Sequence, residues 1–130
     1  MQVQGMEVCM RLLAEEIQYD IPLTQLRMFL FIAANPGITQ TELSEYLKLH
    51  QATVSRNVKK MGRELVQGET GFTEVGMGLV ETRQDTRFDS RRLACFLTKR
   101  GEEIVHTLNK EFRRVNESTL ARKQLRAGTI

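Results

Sequence analysis

The sequence predicts a mainly α-helical protein that carries one small β-hairpin. Three observations lead there. Apolar residues recur at helical spacing through most of the chain. Thr39 with Glu42 three residues on forms a capping pattern, and the short helix it opens is followed, after a brief break, by a helix with an apolar back and a cationic front. Beyond Gly68, Gly71, Gly76 and Gly78, two segments of strand character flank a polar, arginine-rich turn.

Residues 3–18 place Met6, Cys9, Leu13 and Ile17 on one face, with Arg11, Glu15 and Glu16 between them, and read as an amphipathic helix. Ile21-Pro22 ends it, because a residue before proline is pushed out of the helical region. Thr24 is the expected cap of a second helix with Leu26, Phe29, Leu30 and Ala33 on its apolar face. Met28, Phe31 and Ile32 make that helix apolar almost all round, so it is expected to be central, and Asn35-Pro36-Gly37 closes it as a turn.

The third helix starts at Thr39, with apolar positions Leu43, Tyr46 and Leu47. After the break Lys48-Leu49-His50, a fourth helix is expected over residues 51–66, with the stripe Val54, Val58, Met61 and Leu65. At 100° per residue, Ala52, Arg56, Lys59, Lys60 and Arg63 fall on the opposite side. A helix of this kind after a three-residue turn is what the major groove of DNA accepts, whereas the plain alternative is a surface helix with solvated lysines. The glycine-containing segment reads as a loop, and 79–97 as a hairpin of Leu79-Val80-Glu81-Thr82-Arg83 and Leu93-Ala94-Cys95-Phe96-Leu97. Its tip, Gln84 to Arg92, holds Arg87, Arg91 and Arg92 with Asp85 and Asp89, too polar for a core. A last helix has the seam Ile104, Val105, Leu108, Phe112, Val115 and Thr119 and needs a partner, while 121–130 is expected to fray.

The chain thus divides as a single domain, 1–130. Helices at 1–20 and 102–120 are expected to make a dimer, with Met6, Leu13, Ile17, Leu108, Phe112 and Val115 at the interface. Residues 24–98 form a winged helix-turn-helix. Charge follows the same division: residues 1–50 carry three Lys/Arg against six Asp/Glu, and residues 51–100 ten against six. One face of the middle segment is therefore suited to a polyanion.

The start of the chain lacks the basic, apolar, small-residue order of a secretion signal, and no apolar run approaches the length of a membrane span. A cytoplasmic protein with no membrane partner is expected. Cys9 and Cys95 show no CxxC or Cys/His spacing and read as reduced, small core residues, with redox sensing as the alternative. His50 and His106 have no second ligand near them in sequence, so no metal site and no cofactor are expected. No Ser/His/Asp set, GxxxxGK loop or carboxylate cluster can be assembled, which argues against an enzyme.

Three stretches carry a resemblance to a known family. They are Thr24-Gln25-Leu26; Pro36 to Leu43 followed by Ala52-Thr53-Val54-Ser55-Arg56; and Gly78-Leu79-Val80 through Asp89-Ser90-Arg91 to Leu97-Thr98-Lys99-Arg100-Gly101. Their order and separation resemble the MarR family of bacterial transcription regulators over roughly residues 20–108. Asp89 keeps the family's spacing of eight residues to Leu97 of the Leu-Thr-x-x-Gly motif.

The resemblance implies that Thr53, Ser55 and Arg56 face DNA from the recognition helix, and that Asp89 and Arg91 hold the wing against the backbone or minor groove. The plain reading of Asp89 and Arg91 is an ion pair within the hairpin. Gln51, Ala52, Lys59, Lys60, Arg87 and Arg92 complete the expected DNA-binding set. The resemblance also implies a homodimer on double-stranded DNA, a repressor ahead of an activator, and a possible small-molecule effector that nothing in the sequence identifies.

Two departures stand out. Gly62 to Met77 is longer than the family's usual link from recognition helix to wing, so either the helix extends or a separate loop is inserted. The C-terminal region is short for the family, which often adds a further interface helix. Competing readings are a replication or partition protein of a mobile element with the same fold, and a winged helix used for protein contact. Footprints over an origin or repeats would mark the first, and failure to shift genomic DNA fragments the second.

Overall fold

The computed structural model describes residues 3–85 and 92–127, and for residues 64, 65, 74 and 119–127 the backbone alone. The elements are α1 (Val3–Glu16), α2 (Leu23–Ala34), β1 (Ile38–Thr39), α3 (Gln40–Leu47), α4 (Gln51–Met61), β2 (Glu64–Gly68), β3 (Gly71–Val75), β4 (Val80–Gln84), β5 (Leu93–Leu97) and α5 (Lys99–Ala127). They gather into two compact units, residues 21–102 and residues 1–20 with 103–130. No helix among the described residues is long and apolar enough to cross a membrane.

In the larger unit α2 is the central helix, as its all-round apolar character predicts: Leu26, Met28, Phe29 and Ile32 are buried. Leu43 and Leu47 of α3 and Val54, Val58 and Met61 of α4 join them. The capping box at Thr39 is present, with the Glu42 amide donating to Thr39 Oγ1 at 3.1 Å and the Thr39 amide to Glu42 Oε1 at 3.3 Å. Thr24 is not a cap. Helix α2 begins two residues earlier than that cap would place it, with Pro22 at the N-cap position and no side-chain hydrogen bond there. Proline presets the backbone entry, so a hydroxyl is not needed to define it.

The hairpin expected at 79–97 is formed by β4 and β5, paired antiparallel from Val80 with Leu97 to Gln84 with Leu93. A third strand escapes the sequence reading: β1 pairs with β5 through Ile38 with Cys95 and Thr39 with Ala94, giving the order β1-β5-β4. Two residues are too few for a period-2 signal. Asp85, read above as part of an exposed tip, is buried, and its amide donates to the Arg92 carbonyl at 2.7 Å. It belongs to the stem of the wing.

The fourth helix stops at Met61, not at residue 66. Gly62 is its C-cap, and residues 64–75 form a separate two-stranded ribbon, β2 against β3, running from Glu64 with Val75 to Gly68 with Gly71. Of the two alternatives for this long segment, insertion is the one observed. Val54, Val58, Met61 and Leu65 keep helical spacing across the break, which is why periodicity alone overruns it. The chain returns to its point of departure, since the amides of Met77, Gly78 and Leu79 donate to the carbonyls of Lys60, Gly62 and Met61 at 3.0, 3.0 and 2.8 Å. Gly76 makes this approach possible: its φ is +111°, and a Cβ there would lie 2.2 Å from the Gly62 carbonyl oxygen.

In the smaller unit α1 and α5 run antiparallel, with Gly5 against Phe112 and Asn116, and Cys9 Sγ 3.8 Å from the Leu108 carbonyl oxygen. Leu13 and Leu108 are buried within the chain itself. Helix α5 continues to Ala127, past residue 121 where fraying was expected, and residues 128–130 lie outside the described set.

The Leu-Thr-x-x-Gly motif has a direct structural cause. Thr98 Oγ1 donates to the Gly78 carbonyl at 2.6 Å and accepts from the Gly101 amide at 3.1 Å, so one hydroxyl caps α5 and fastens it to the start of the wing. A Cβ on Gly101 would stand 2.4 Å from the Leu79 carbonyl oxygen. Alanine at this helical site would gain up to about 1 kcal/mol in propensity, but the backbone clash outweighs it. Gly101→Ala is therefore expected to lower the unfolding free energy by roughly 1–3 kcal/mol. Gly68→Ala, which meets only the Gly71 carbonyl oxygen at 3.6 Å, should stay within about 0.5 kcal/mol of the parent. Urea unfolding of the two variants checks this, and equal stability would contradict it.

Candidate nucleic-acid interface

The turn between α3 and α4 is set by Lys48, which takes the left-handed conformation at φ 55° and ends α3. The Leu49 amide donates to Ser44 O at 3.0 Å, and His50, in extended conformation, starts α4. With Val54, Val58 and Met61 buried, the other face of α4 is fixed outward. Gln51, Ala52, Arg56, Lys59 and Lys60 are exposed there, and Thr53 and Ser55 are half-buried. Arg63 lies beyond the helix end and so leaves this face.

A pair of amides locks the rotation of α4. Asn57 Nδ2 donates to Thr53 O on its own helix at 2.9 Å, and Asn57 Oδ1 accepts from Nε2 of buried Gln25 on α2 at 3.1 Å. Gln25 Oε1 is buried with no hydrogen-bond partner among the described residues.

Four of the expected residues, Gln51, Ala52, Ser55 and Arg92, line one concavity. A groove of about 490 Å³ is lined by Gln40 and Thr41 from the first turn of α3, Gln51, Ala52 and Ser55 from α4, and Arg92 with Leu93 at the base of the wing. Two helix N-termini, each with amides free of intrahelical partners and the positive end of a helix dipole, open onto it. Sequence reading missed Gln40 and Thr41 as members of this surface, although the capping box at Thr39 already placed them in a first helical turn. It also missed Gln25 and Asn57, which have no periodic signature.

On the wing, the Arg83 guanidinium lies 4.5 Å from the centre of the Phe96 ring and pairs with Glu81. Arg87, Asp89 and Arg91 lie outside the described residues.

Of the six residues expected at a dimer interface, Leu13 and Leu108 are corrected: both are spent on the chain's own core. Ile17, Phe112 and Val115 are half-buried, and Met6 is 47% exposed. Val3 and Met10, 79% and 42% exposed, share the outward face of α1 with Met6 and were not singled out from sequence.

Burial pushes the Cys95 thiol up to about 12 and raises that of Cys9, so neither is held as a reactive thiolate. Among the described residues no group of three or more His, Cys, Asp or Glu gathers as for a metal ion.

Three packed helices, the third with a basic outer face, followed by a hairpin on the same unit, define a winged helix-turn-helix protein. Residues 19–63 match the model of the MarR family. Among solved structures, that of MarR is 24% identical, with 98% of this chain and 94% of that one covered and a TM-score of 0.55. The S. aureus MepR–DNA complex is 21% identical, with 95% and 86% covered and a TM-score of 0.61. RV1404 from Mycobacterium tuberculosis is 18% identical, with 91% and 70% covered and a TM-score of 0.68. No curated protein matches the chain by sequence. The helix-turn-helix segment is thus similar to the MarR family model, and the fold is the winged helix shared with these structures.

Proposed function

We propose that this protein binds double-stranded DNA as a homodimer and regulates transcription, with α4 in the major groove and the wing on the flanking backbone or minor groove. The observation that carries this reading is the outward face of α4, where Arg56, Lys59 and Lys60 stand opposite a fully buried apolar back. The groove beside it supports the same reading. Amides at the starts of α3 and α4, with Arg92 at its edge, form a seat for a phosphate of the backbone strand. The structure of MepR was solved as a DNA complex, and its fold is shared. A two-fold protein reading half-sites about one helical turn apart covers a promoter element by size alone, so repression by occupancy is the mode we propose.

For the dimer we assign the outward face of α1, Val3, Met6 and Met10, with half-buried Ile17, Phe112 and Val115 beside it. Three apolar residues exposed at helical spacing are a surface that a second copy can cover.

The DNA-binding assignment has two expected outcomes. Affinity for a mixed-sequence duplex is expected to fall steeply with salt, because each neutralised phosphate releases counterions. Arg56→Ala should weaken binding to a preferred duplex by about 1–3 kcal/mol per half-site and change binding to a scrambled one little. Fluorescence anisotropy titrations measure both, and a flat salt dependence, or equal losses on the two duplexes, would contradict the assignment of Arg56. Met10→Glu, at an exposed site, should yield a folded monomer by light scattering. A Met10→Glu protein that remains dimeric would place the interface elsewhere.

A further inference from the structure

The ribbon of β2 and β3 takes no part in the proposed DNA interface, and its chemistry sets it apart from that surface. Residues 62–78 hold one cation, Arg63, against Glu64, Glu69 and Glu74, so the segment is acidic beside a basic helix. Carboxylates are repelled by phosphate, which argues against the ribbon as a second wing on DNA. It is also apolar on the outside: Phe72 is 70% exposed, Val66 45% and Val75 41%. The register places Phe72 opposite Gln67 on one face and Val66 opposite Thr73 on the other. The ribbon joins no other strand among the described residues. A lone two-stranded hairpin is marginal in water, and one displaying an aromatic ring at its turn is suited to being covered.

A surface of complementary chemistry occurs on the chain itself. Residues 105–127 of α5 carry Lys110, Arg113, Arg114, Arg122, Lys123 and Arg126 against Glu111 and Glu117. Within this stretch, a hollow of about 340 Å³ is lined by His106, Asn109, Lys110, Arg113, Arg114 and Glu117. Three of its six lining residues, Lys110, Arg113 and Arg114, are long cations, a type whose aliphatic stem and charged head can both serve an aromatic ring.

We infer that the β2–β3 ribbon is a self-association surface, seating Phe72 of one copy in the α5 hollow of a second copy, with Glu69 beside Arg113. Knob and hollow are different surfaces, and every copy carries one of each, so this contact adds copies beyond a two-fold dimer. It is small and charge-assisted, and hence weak and salt-sensitive. Its consequence on DNA would be cooperative filling of neighbouring sites.

Sedimentation velocity of the full chain, from low to high micromolar at low and high salt, tests the contact. The parent is expected to form species larger than a dimer at low salt and to lose them at high salt. Phe72→Ser and Glu69→Lys, both at exposed positions, should each weaken that step roughly tenfold or more while leaving far-ultraviolet circular dichroism unchanged. Glu69→Lys combined with Arg113→Glu should recover it. A parent that stops at the dimer, or a Phe72→Ser variant that associates like the parent, overturns the inference. A double variant no better than Glu69→Lys alone overturns the pairing with Arg113. Failure of the homodimer itself reads differently, as a monomer throughout.

Discussion

The backbone clamp at the end of α4 is the constraint on which most of this fold depends. Three consecutive amides, from Met77 to Leu79, take up carbonyls at the end of α4, and the Leu79 carbonyl in turn accepts the Thr98 amide at 2.9 Å. The end of α4, the start of the wing and the start of α5 are therefore joined by main chain within a few ångströms. Hydrogen bonds of this kind are individually worth about 1 kcal/mol, but buried backbone groups cannot be left unpaired, so the junction is close to obligatory. Gly62, Gly76 and Gly101 sit around it because there is little room for side chains where backbones approach this closely, and Gly78 because its φ is +66°.

That junction also explains how twelve residues of ribbon can be inserted without disturbing the rest. The chain leaves at Gly62 and returns at Gly76, whose Cβ position would fall on the Gly62 carbonyl oxygen, so the excursion begins and ends at one point. Helix α4 and the wing keep their connection across the insertion, and the ribbon is free to carry a chemistry of its own. The locked rotation of α4 has a separate origin, in the Gln25–Asn57 amide pair, which orients Arg56 and Lys59 by fixing the face opposite to them.

Much of this was legible in the sequence because it rests on periodicity and on local capping. The apolar run of α2, the Thr39–Glu42 box, the buried stripe from Val54 to Met61 and the strand character of 79–83 and 93–97, one residue off the observed start of β4, all carry one-dimensional signals. What was missed depends on partners far apart in sequence. The two-residue strand β1 exists only because β5 lies beside it, and Asp85 is buried by the stem it closes. Leu65 continued the helical stripe, yet Gly62 and the returning chain end the helix before it is reached. The dimer assignment failed at Leu13 and Leu108 for a related reason. Sequence shows that a helix has an apolar face, but not whether its partner is another helix of the same chain; here α1 and α5 use that face on each other, leaving Val3, Met6 and Met10 outward.

The central claim is sequence-specific recognition of duplex DNA by a two-fold protein. Repeated selection of bound fragments from a randomised duplex pool, followed by sequencing, tests it most directly. The expected result is enrichment of an inverted repeat whose half-sites are centred about one helical turn, roughly 10 base pairs, apart, and loss of that enrichment when Arg56 is alanine. A bound pool as random as the starting one, or an enriched site without two-fold symmetry, would contradict it.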